Sequence, residues 1–139
     1  MTLRRGFVAA FLLCAAMLHS ANAQQTKAPD APGTVTYRGN LGKTAMGGNI
    51  VEELKIGPPQ AGMSRVTIDV GSPGCGGGVS GIASVQGDTL LLTKDDSGNA
   101  CRLTIHRTAS TATVKEDNCM VDHGASCDFN SVKPLSLVR

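Results

Sequence analysis

The chain has 139 residues, with 13 Lys and Arg against 11 Asp and Glu, one Tyr, three Phe and no Trp. Two of the cations are Arg4 and Arg5, so the 116 residues from Gln24 onward carry 11 charges of each sign and no net charge. With Tyr37 and Phe129 as the only aromatics in that part, it lacks both the positive field and the stacking platform of a nucleic-acid binder.

The first 23 residues have the three parts of a secretory signal: the basic pair Arg4-Arg5, an apolar run over 7–18, and Ala21-Asn22-Ala23 before the predicted cut. The run is shorter than the ~20 apolar residues that span a bilayer. Lipoprotein processing at Cys14 is disfavoured, because Leu13 before it is not small and Cys14 lies inside the apolar run. The expected protein is periplasmic or secreted and has no membrane span. Mass spectrometry of the exported chain should find a start at Gln24; an intact Met1 on periplasmic material would contradict this reading.

Residues 24–33 are polar, contain Pro29 and Pro32, and read as a flexible tether ahead of a β domain over 34–139. Period-two alternation then recurs over 34–38, 65–70 and 102–107, with a leucine-rich run over 89–93 and a further segment over 110–115. In 65–70, Val66, Ile68 and Val70 share one face and Arg65, Thr67 and Asp69 the other. Residues 49–56 fit a helical face (Ile50, Val51, Leu54) or a strand face (Ile50, Leu54, Ile56). Strand neighbours and Gly57-Pro58-Pro59 favour strand. Gln86-Gly87-Asp88 and residues 95–99 are turn signals. The pattern predicts an all-β, antiparallel meander that closes into a small barrel or sandwich, preceded by a cleavable signal helix.

Four cysteines remain after the leader: Cys75, Cys101, Cys119 and Cys127. Outside the cytoplasm they read as two disulfides, which offset an aromatic-poor core by ~2–4 kcal/mol each. Residues 119–127 have the spacing Cys-x3-His-x3-Cys. This could be a metal clip of two thiolates and His123, with His106 as a further ligand, or a disulfide across seven residues. Compartment favours the disulfide. The expected pairs are Cys119–Cys127, contributing roughly 2.5 kcal/mol, and by elimination Cys75–Cys101, contributing roughly 3.5 kcal/mol in the chain-entropy model.

Asp122, His123 and Ser126 lie in that loop and suggest a hydrolase. However, Asp122 and His123 are adjacent in sequence, and no Gly-x-Ser-x-Gly elbow surrounds Ser126. The better reading is a tight turn with an exposed imidazole, in which Asp122, His123 and Ser126 form a binding surface of low ordering cost. Residues 71–78 are rich in glycine but lack the lysine and following helix of a phosphate loop, and read as a loop entering a strand. Asp95, Ser97 and Asn99 begin like a calcium loop, but Gly98 is at the wrong position and His106 stands where the closing glutamate belongs. No cofactor is expected.

The Cys75-Gly76 entry with Val79-Ser80-Gly81, the Cys101-x-Leu103 strand, and the ending Cys119, His123-Gly124 and Cys127-Asp128-Phe129 resemble small exported bacterial disulfide-bearing β proteins of uncharacterised families. That resemblance implies a periplasmic β domain and no particular activity. In plan the chain also resembles periplasmic lysozyme inhibitors, which present a Ser-Gly loop with a nearby basic or aromatic residue to the lysozyme's catalytic carboxylates. Here the Ser-Gly pairs are Ser80-Gly81 and Ser97-Gly98, with Lys94 and Arg102 near the second. The expected function is that of a non-enzymatic exported binding protein, an inhibitor or a host or envelope interaction factor, with a protein partner. The alternatives are a periplasmic metal-binding protein and a small hydrolase.

Overall fold

Alternation in the sequence becomes an inside and an outside. In a computed structural model that describes residues 29–45, 47–95, 98 and 100–139, eight strands follow one another without a crossover. They are β1 (Val35–Lys43), β2 (Asn49–Ile56), β3 (Met63–Ser72), β4 (Cys75–Gln86), β5 (Thr89–Lys94), β6 (Cys101–Arg107), β7 (Thr111–Asp117) and β8 (Leu135–Leu137). Every neighbouring pair is antiparallel, and β8 pairs with both β7 and β1, closing an all-β barrel. The signal segment lies outside the described residues, as do the first residues of the tether.

Inward side chains fill the barrel. Leu54, Ile56, Val66, Ile68, Leu90, Leu92, Leu103 and Ile105 are all at most 1% exposed. An eight-stranded barrel is just wide enough for side chains to pack its interior. Burying each such residue contributes ~1.5–3 kcal/mol relative to leaving it in water. Residues 49–56 are strand, in keeping with their strand-face reading. The Gln86-Gly87-Asp88 signal becomes the β4–β5 hairpin, with Gly87 at φ 59°.

The closing seam is short. β8 meets β1 at Tyr37↔Leu137 and Arg38↔Ser136, and meets β7 at Thr111↔Ser136 and Ala112↔Leu135. Below it, residues 128–134 take over from the strand. The Ser131 N–H donates to the Val114 carbonyl (3.0 Å), and Ser131 Oγ accepts the Val114 N–H (3.1 Å). Asn130 Oδ1 accepts the Glu116 N–H (3.1 Å). The exposed edge of β7 is thereby satisfied without a full strand.

Two expectations need correction. The glycine-rich run over 71–78 is a strand-to-strand hairpin rather than a plain loop: Gly71↔Gly76 and Ser72↔Cys75 pair across it. The cysteines also pair differently, as Cys75–Cys127 and Cys101–Cys119, with Cα separations of 5.7 and 4.4 Å. Cys101 and Cys119 sit at the open end of the β6–β7 hairpin, one residue beyond Arg102 and two beyond Asp117. A one-turn helix, α1 (Met120–His123), separates Cys119 from Cys127 and carries the chain back over β4, where Cys127 meets Cys75.

That return depends on Gly77. A Cβ at this position would lie 2.3 Å from the His123 Cα and 2.4 Å from the Asp122 carbonyl oxygen, both backbone atoms that cannot step aside. Gly77→Ala is expected to cost about 3 kcal/mol, the upper range for overpacking. Gly76→Ala, where the nearest atom is the Val70 carbonyl oxygen at 3.8 Å, should cost no more than about 1 kcal/mol, within the β-propensity scale. Equal melting temperatures for the two variants would refute this packing.

Candidate functional site

Two places on the barrel bring chemical groups together. The first is a groove of about 690 Å³ on the outer face, between residues 29–34 and strands β2 to β4. Strand alternation points Met63, Arg65 and Thr67 of β3 outward, and register sets Arg65 opposite Ile82 and Thr67 opposite Ser80. Met63 and Ile82 remain 42% and 48% exposed, which places two large apolar side chains at the groove's surface. Arg65 is exposed between them and makes no ion pair with any described residue. Lys55 lies at the groove's other side, where its ammonium contacts the Asp30 carboxylate (2.5 Å) and Glu53 (3.7 Å). The hydrogen bond from Lys55 to Asp30 holds the ammonium above its ordinary pKa. The described end of the tether therefore docks onto the barrel, with Asp30 as its contact.

The second place is a polar cluster at the end of the barrel that α1 and residues 128–134 cover. Glu52 points inward from β2 and is 0% exposed. Its Oε2 accepts a hydrogen bond from Ser131 Oγ (3.1 Å), while its Oε1 is buried without a partner. Burial pushes the Glu52 carboxyl up to about 8, and the charges of Asp128 and Glu116 add to that; the Ser131 hydrogen bond acts the other way. Glu116 accepts the Phe129 N–H (2.8 Å) and contacts His123 Nε2 (3.1 Å). The His123 Nδ1 faces the Gly124 carbonyl oxygen at 2.5 Å, and the ring meets Phe129 edge-on at 4.9 Å.

These contacts settle the geometry of the loop residues singled out from sequence. His123 is 8% exposed, so the expectation of an exposed imidazole is corrected: Glu116 and Phe129 draw the ring into the barrel end. Asp122 turns its carboxylate to Lys94 (2.7 Å). Ser126 is exposed and bonds to neither. No hydrogen bond links Ser126 to His123 or His123 to Asp122, so no relay of the hydrolase kind is assembled. What the loop does present outward is Met120 and Val121, 64% and 72% exposed.

The metal clip fails for a different reason. Cys119 and Cys127 are each bonded to another cysteine and offer no thiolate. His106 stands on the outer face of β6, where it contacts Thr89 (2.9 Å). Among the described residues, no group of three or more His, Cys, Asp or Glu is placed to hold a metal ion. Of the two Ser-Gly pairs, Ser80-Gly81 lies within β4 rather than in a loop, and Ser97 lies outside the described residues.

Glu52 was missed in the sequence, although a signal was present. The strand face Ile50, Leu54, Ile56 has a gap at the period-two position between its first two members, and Glu52 fills it. No helix among the described residues is long and apolar enough to cross a membrane. The fold and its two bridges define a small disulfide-stapled β-barrel, suited to an oxidising environment. No family model matches the chain, and neither the curated proteins nor the solved structures contain a match to it.

Proposed function

We propose that this is a non-enzymatic exported binding protein, periplasmic or secreted, that grips a protein partner through the groove on β3 and β4. The supporting observation is the exposed Arg65 between exposed Met63 and Ile82. The complementary partner presents a carboxylate beside an apolar side chain. Within the same chain, Asp30 already sets a carboxylate against Lys55 at the groove's other side, which supports this chemistry. The interior is packed with side chains, which leaves the surface as the place to bind.

A second reading places the contact on the bridged loop, supported by Met120 and Val121 on the outer side of α1. Here Ser126 remains available, and Asp122 and His123 hold the loop's shape. Pull-down from envelope extract and host lysate separates the two readings. A partner captured by the wild type, lost with Arg65→Glu plus Ile82→Ser and retained with Met120→Ser plus Val121→Ser, supports the groove. The reverse pattern supports the loop. A partner retained by both variants, with melting temperatures unchanged, refutes both. Addition of the purified protein to a lysozyme assay tests the inhibitor version directly, and retained lysozyme activity at a large molar excess counts against it.

A further inference from the structure

The groove and the loop leave Glu52 unexplained. An inward carboxyl with one orphaned oxygen is a costly thing to keep in an apolar barrel. Its position gives it leverage. Among the described residues, the only side chain bonded to it is Ser131, which also makes two hydrogen bonds to Val114 of β7. Ser131 lies on the segment that leads into β8, the strand that closes the barrel with two residue pairs on each side. The charged groups acting on Glu52 are Asp128 from the crossing segment and Glu116 from β7, the latter in turn contacting His123 of α1.

We propose that Glu52 is a proton-dependent lock on the barrel seam: neutral, it stays sealed against residues 128–134, and ionised, it admits water there and loosens β8. The reason is solvation. Among the described residues, a carboxylate at this position has one hydrogen-bond donor, Ser131, where water would offer several, and it faces the charges of Asp128 and Glu116. Hydration relieves both penalties, and the cheapest route for water is the end where a crossing segment and a three-residue strand replace a full strand. The Cys75–Cys127 bridge keeps the segment's start in place, so the opening is local.

The test is amide hydrogen exchange of the exported protein from pH 6 to 9.5, corrected for the intrinsic effect of pH on exchange. The Leu137 and Val138 N–H groups, which donate to Ser110 and Thr36, should exchange at least tenfold faster across a one-proton transition near pH 8, while β3–β4 amides stay protected. Near-ultraviolet circular dichroism of Tyr37, the chain's sole tyrosine and a partner of Leu137, should follow the same curve. Glu52→Gln removes the proton and should abolish the transition. Asp128→Asn, on an exposed side chain, removes one repelling charge and should move the midpoint to lower pH. A flat wild-type profile overturns the proposal, as does a transition that survives in Glu52→Gln. Should the glutamine variant fail to fold, an unmoved midpoint in Asp128→Asn overturns it.

Discussion

Replacing Cys75 and Cys127 together with alanine is expected to cost about 4 kcal/mol, more than losing the other bridge. The bridge spans 52 residues of sequence, against 18 for Cys101–Cys119. In the chain-entropy account the longer loop restricts the unfolded chain more, so losing the shorter bridge should cost about 3 kcal/mol. Small domains have ~5–15 kcal/mol in total, so either loss is visible in a single denaturation curve. The Cys75–Cys127 variant should also lose protection in α1, because that bridge returns the loop to β4. Non-reducing peptide mapping checks the premise. A recovered Cys119–Cys127 peptide would refute the connectivity, and a greater loss from Cys101–Cys119 would refute the ranking.

The second large effect is the pH dependence that Glu52 imposes on folding. In the unfolded chain this carboxyl ionises at its ordinary value of 4.5, whereas the folded barrel retains the proton up to about 8. Between those values the folded state binds more protons, so stability falls as pH rises. The contribution is most favourable below 4.5, is lost progressively through the window, and levels off above 8. The slope is on the order of 1 kcal/mol per pH unit. Other carboxylates titrate near the acid end, so the informative quantity is the difference between the wild type and Glu52→Gln. That difference should grow steadily in favour of the glutamine variant from pH 5 to 8. A constant difference would mean that Glu52 ionises freely in the folded protein.

How far the sequence revealed this follows from which interactions are local. Residues 65–70 and 102–107 alternate cleanly because each strand has one face in the core and one in water, and both were legible. β4 follows its first residue, Cys75, with Gly76-Gly77-Gly78, a run with no apolar side chain to reveal a face. The reason for glycine lies elsewhere in the chain: α1 rests on Gly77, and the Asp69 side chain lies against Gly78. β8 has only three residues and follows Pro134, too short for a pattern to show. The cysteine pairing depends on where a one-turn helix sends the chain, which spacing alone could not decide. Glu52 and Glu53 are adjacent acids, and alternation sends the first inward and leaves the second on the surface with Arg38 and Lys55.

The closing seam also makes neighbours of the two ends of the folded domain. The Val138 N–H donates to the Thr36 carbonyl at 2.8 Å, and Leu137 sits opposite Tyr37. A circular permutant that joins the end of β8 to the start of β1 through a few flexible residues, with new termini cut at Gly87 in the β4–β5 turn, should keep all eight strand pairings. The arrangement also suits genetic fusion: a reporter or a second binding module attached at either end emerges from the same edge of the barrel.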